Sequence, residues 1–130
     1  MKNQSKVKVS ELTGAALDWA VAKCEGLPLV LDPMGFRKDA PESAQAGRFG
    51  YAPSTNWSQG GPVIEKCNIL IAPPPVNEPL ARSVWQAQIK AVGKGFVYHA
   101  QSGKTPLIAA MRCYVESNVG DEIEIPEELS

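Results

Sequence analysis

The sequence predicts an α+β fold: a mainly antiparallel sheet of about four or five strands packed with about three helices as a sandwich. Three observations carry this. Apolar residues recur at helical spacing in Leu17, Ala20, Val21 and Cys24, and again in Leu107, Ala110, Met111, Tyr114 and Val115. Trp85, Ala87, Ile89 and Ala91 alternate strictly with Gln86, Gln88 and Lys90, the period of a strand with one buried face. Gly and Pro clusters separate these segments. A length of 130 residues suits one domain, residues 1–130, large enough to hold a core without metal or disulfide staples.

The elements follow in order. Lys6-Val7-Lys8-Val9 alternates and reads as a short strand. Thr13 is the expected N-cap of the first helix, with Asp18, Lys23 and Glu25 off its apolar stripe and Gly26 and Pro28 ending it. Leu29-Val30-Leu31 reads as a short buried strand. Residues 32–62 form a long loop excursion rich in Gly, Pro, Ser and Ala, with a turn of helix near Ala40–Ala46. Pro62 is expected at the first position of the second helix, which buries Val63, Ile64 and Cys67. Ile69-Leu70-Ile71 is a strand stopped by the stiff connector Pro73-Pro74-Pro75. Residues 85–91 and Phe96–Ala100 form a hairpin around Gly93-Lys94-Gly95, followed by a loop, Gln101–Lys104. Thr105 caps the last helix and Pro106 occupies its first turn, with Arg112 and Glu116 placed to pair on its outer side. After Gly120, Ile123 and Ile125 alternate with glutamates as an edge strand.

Composition excludes several function classes. Thirteen basic and fourteen acidic residues give a net charge of −1 with no basic block, so duplex nucleic acid has no electrostatic footprint here. The acidic cluster from Asp121 to Glu128 reads as a solvated ending. Three cysteines without a C-x-x-C fit a reducing compartment. The polar start and the shortness of every apolar run predict no membrane association, hence the cytoplasm. A single histidine, His99, cannot build a zinc site, and neither a metal nor a cofactor is implied.

Two segments carry the candidate chemistry. In Tyr51-Ala-Pro-Ser54-Thr55-Asn56-Trp57-Ser-Gln59-Gly60-Gly61, two aromatics bracket hydrogen-bonding side chains, and the glycines let backbone N–H groups approach a ligand. Arg48 is available to pair a phosphate bidentately. The structural alternative is a loop anchored by its aromatics, with Ser54–Asn56 capping a turn. Ser102-Gly103-Lys104-Thr105 is not a Walker motif, because Tyr98 stands where a glycine is required and Pro106 follows. It still opens a helix, whose first N–H groups and dipole favour an anion, against the alternative of an ordinary cap with a solvated lysine. His99 is read as a structural or ligand-contact residue. No Ser or Cys sits in a nucleophile elbow, and no catalytic residues are assigned.

The blocks Lys6–Cys24, Tyr51–Glu65 and Thr105–Glu128 resemble the NinX-like proteins of temperate phages. More distantly, Tyr51-x-Pro-Ser-Thr, the Val63–Lys66 helix, the Trp85 strand and Thr105–Arg112 are similar to the phage α-β-α (ABA) sandwich domain. The resemblance spans nearly the whole chain and departs most at residues 32–50 and 92–101. It implies a small phage accessory protein built of sheet and helices. The family carries no agreed activity, so no functional residue is transferred.

The expectation is therefore a non-enzymatic phage protein that sequesters a small nucleotide-like, phosphorylated ligand, such as a host anti-phage immune signal. Its pocket is expected between copies in a homo-oligomer. The alternative is a protein-interaction module that inhibits or adapts a host protein, supported by the acidic ending and Pro73–Pro79. A nucleotide-processing enzyme with His99 as base comes third.

Overall fold

The computed structural model describes residues 4–26, 30–32, 35–37, 52–74, 84–91 and 97–126. The chain runs β1 (Gln4–Lys8), a 3₁₀ turn (Val9–Glu11), α1 (Gly14–Glu25), β2 (Val30–Asp32), β3 (Gly35–Arg37), α2 (Trp57–Cys67), β4 (Leu70–Ala72), β5 (Trp85–Ala91), β6 (Val97–Gly103), α3 (Pro106–Val119) and β7 (Glu122–Pro126). The fold is α+β and every strand pairing is antiparallel. Five strands make two sheets, β1–β7 and β4–β5–β6, and β2 pairs separately with β3. The predicted helical turn at 40–46 and the hairpin turn at 93–95 lie outside the described residues.

Helix α3 is the centre of the core. It packs on β5 and β6 on one side and on α1 and α2 on another. Seven of its fourteen residues are buried, Ala109 and Cys113 in addition to the five of the expected stripe. A helix contacted from several directions is apolar around most of its circumference, which blurs the single stripe.

The inner face of the three-stranded sheet follows from alternation. Ala87 and Ile89 are buried, and Gln86 and Gln88 point outward. Register sets Gln86 opposite Ser102 and Ala72, and Gln88 opposite Ala100 and Leu70. Leu70 is 63% exposed, so among the described residues this outer face carries no covering layer. The helices thus lie on one side of the sheet.

Three boundaries differ from expectation. Strand β6 continues through Gln101-Ser102-Gly103, because each of these residues pairs with β5. Gly35–Arg37 adds a short strand inside the expected excursion. Helix α2 starts at Trp57 and carries Pro62 in its interior. Gly61 lacks the Cβ that normally obstructs a helical residue before proline, which eases the placement.

The helices share one direction. Asp18 of α1 meets Ser54, just before α2, while Glu25 near the end of α1 meets Lys66 near the end of α2. A methyl added at Gly60 would lie 2.6 Å from Leu107 Cδ2 in the first turn of α3, and Lys66 Nζ lies 5.7 Å from the ring centroid of Tyr114, two turns later. Helices α2 and α3 therefore run side by side in the same sense, and both begin at the same end.

Candidate functional site: two helix starts at one end

Residues 52–56 fold as a tight turn feeding α2. The amides of Thr55 and Asn56 both donate to the Ala52 carbonyl, at 3.1 and 2.8 Å. Asn56 Oδ1 accepts from the Ser58 amide at 2.9 Å and from the Ser58 hydroxyl at 2.6 Å, the expected behaviour of an N-cap asparagine. The Ala52 amide donates to Gln59 Oε1 one turn into the helix. The turn is fixed to α1 by the Ser54 amide, which donates to Asp18 Oδ1 at 2.9 Å. Asp18 is only 4% exposed. Burial pushes its carboxyl up to about 6, and hydrogen bonding from Ser54 opposes that shift. An acidic residue beside a helical apolar stripe looks solvated in sequence, and nothing there marks Asp18 as an anchor.

The start of α3 is built just as closely. Thr105 Oγ1 accepts from the Ile108 amide at 3.1 Å, and Pro106 occupies the first turn. Gly103 is required where β6 meets this turn: a methyl there would lie 2.7 Å from both the Ala109 nitrogen and Ile108 Cγ2. The cap occupies the Ile108 amide and Pro106 contributes none, so the Leu107 amide is the first-turn donor these bonds leave over.

The predicted site residues separate by location. Trp57 is 55% exposed, and Thr55, Asn56, Ser102, Lys104 and Thr105 are also exposed. Gln59 and Gly61 are half-buried. Ser54, Gly60 and Gly103 are buried and serve packing. Arg48 and Tyr51 lie outside the described residues. The Gly60–Leu107 contact brings the two segments to one end of the molecule. His99 sits elsewhere. Its Nδ1 is 3.8 Å from Glu116 Oε1, ten residues or about 15 Å along α3 from Pro106.

Arg112 does not pair with Glu116. Its Nε donates to the Leu12 carbonyl at 2.8 Å and Nη1 to the Ser102 carbonyl at 2.7 Å, tying the segment before α1 to the end of β6. The three cysteines are free thiols. Burial pushes Cys24 up to about 11 and Cys113 up to about 12, and Cys67 is raised for the same reason, so none is poised as a thiolate. Cys113 Sγ donates to the His99 carbonyl at 2.9 Å. Among the described residues, no group of three or more His, Cys, Asp or Glu side chains is placed to hold a metal ion. Nor is any helix among them long and apolar enough to cross a membrane.

A family model described as Bacteriophage P22, NinX matches residues 8–118. The chain belongs to the phage P22 NinX family. The match runs through all three helices and the β4–β5–β6 sheet, and it stops just short of β7. A NinX-family chain is a phage accessory protein. No curated protein matches the chain.

Proposed function

We propose that this NinX-family protein binds a small phosphorylated, nucleotide-like ligand without altering it, and that the phage uses it to sequester such a molecule in the host cytoplasm. The observation that supports this reading is the common direction of α2 and α3. Two helix starts at one end add their positive dipole ends, and each favours an anion there. Trp57 opens α2 with an exposed ring, and Lys104 adds a cation just before α3. An aromatic face beside an electropositive end suits a ligand that carries both a base and a phosphate.

Thermal-shift and calorimetric titrations against cyclic nucleotides and ADP-ribose derivatives test the reading, with mass spectrometry of the recovered ligand to check that it is unchanged. A ligand from this class is expected to raise the melting temperature. Trp57→Ala is expected to weaken its binding about tenfold or more, since stacking on one base contributes ~1–3 kcal/mol. The reading fails if no compound of the class shifts the melting temperature.

A further inference from the structure

Asp18 is a carboxyl in an apolar place. It is buried on α1, and its neighbours one turn away, Gly14, Ala15, Val21 and Ala22, carry no charge. Across from it lies the turn at residues 52–56. Among the described residues, the Ser54 amide donating to Asp18 Oδ1 is the one hydrogen bond that ties α1 to this turn. The other bonds of the turn are internal or run into α2.

The Ser54 hydroxyl, itself buried, lies against the same carboxyl but makes no hydrogen bond of proper geometry. It can accept from a carboxyl or donate to a carboxylate, so it serves either form. Burial decides between the two forms, and it favours the neutral one. The turn has no titratable side chain, and the described charges of the three helices are engaged elsewhere. Lys23 lies over the Trp19 ring, Glu25 pairs with Lys66, Arg112 holds two carbonyls and Glu116 stands beside His99. Glu11, Glu65 and Lys104 are exposed.

We propose that Asp18 and Ser54 form a proton-operated latch: with a proton on Asp18 the turn at 52–56 stays against α1, and when the proton leaves, the turn lifts and lets water reach the carboxylate. The turn is the part that yields, because α1 buries five other residues in the core whereas one bond ties the turn to it. Trp57 opens α2 directly after this turn, so the proton on Asp18 sets how firmly its exposed ring is placed. The latch needs no ligand and stands or falls apart from the ligand-binding reading. Its sign follows from the carboxyl, held at about 6 when shut and returning toward 3.8 when hydrated. The ratio of shut to lifted turn is therefore highest at acid pH and falls on the order of 100-fold between pH 4 and pH 7.

The test is native-state hydrogen exchange of the full chain followed by NMR from pH 4 to pH 7, with rates corrected for the intrinsic effect of pH. The Ser54 amide is expected to exchange faster than the interior amide of Ala110 in α3, and its protection to fall about 100-fold across the range. Asp18→Asn keeps both contacts to Ser54 without a charge, and is expected to hold that protection constant. A Ser54 amide that exchanges only in step with Ala110 overturns the latch, because Asp18 then acts on the whole fold. So does a pH dependence that survives in Asp18→Asn. If that variant fails to fold, the carboxyl carbon signal of Asp18 in the unaltered chain decides. A midpoint near 6 shared with the Ser54 protection supports the latch, and a midpoint in the ordinary carboxylate range overturns it.

Discussion

Gly60 has no room for another carbon. A methyl there would press on the Pro53 carbonyl oxygen and on Leu107 Cδ2, and the first of these belongs to a backbone held by the Asp18–Ser54 bond. Gly60→Ala is expected to destabilise the fold by ~1–3 kcal/mol, read by chemical denaturation. In the sequence Gly60 stands as a point of close approach for a ligand; in the fold Leu107 of α3 approaches it, a contact no local pattern announces. Asp18 gives a second expectation. Its carboxyl is raised from 3.8 to about 6 in the folded state, so the folded protein holds a proton that the unfolded chain releases. Its contribution therefore favours folding below about pH 4 and is lost as pH rises through 6, a change on the order of 3 kcal/mol. Asp18→Asn is expected to flatten melting temperature against pH across that window, measured by thermal denaturation in a buffer series.

Among the elements, α2 carries the clearest internal conflict. Pro62 sits inside the helix, where it supplies no N–H and meets the carbonyl of the preceding turn. Because Pro62 is exposed, Pro62→Ala is expected to stabilise the protein by ~1–3 kcal/mol in urea unfolding. This conflict also explains what could be read beforehand. Strands β5 and β7 keep a clean period, and with helices α1 and α3 they stand near their expected bounds. Gly-Gly-Pro conceals the start of α2, because that triplet ordinarily marks a turn. Gln101-Ser-Gly looks like a loop for the same reason, yet pairing with β5 overrides it. The exposed part of the candidate site was legible as composition. Its geometry was not, because the shared direction of α2 and α3 arises from long-range packing.

For the whole molecule, Glu25 is the point where all three helices join. Its Oε2 accepts from Lys66 Nζ at 2.6 Å and from the Tyr114 hydroxyl at 2.5 Å. Burial raises the Glu25 pKa, but these two bonds outweigh it and hold the carboxyl below its usual value. The contribution of this junction is therefore present at neutral pH and lost as acid protonates Glu25. Burial and the same carboxylate push the Tyr114 hydroxyl strongly upward, so it remains a donor at any working pH. Tyr114→Phe keeps the buried ring and removes that donor. It is expected to cost ~1–2 kcal/mol, with the loss shrinking once Glu25 is protonated, as denaturation at pH 7 and at low pH would show. The remaining closure, β1 against β7, has a consequence for synthesis. Among the described strands, β1 and β7 are the first and the last along the chain, and they pair with each other, Gln4 with Pro126. At ~5–20 residues per second, a ribosome needs on the order of 10 s to supply that partner. Until then the edge of β1 that pairs with β7 has no mate, so this two-stranded sheet forms only after β7 has left the exit tunnel.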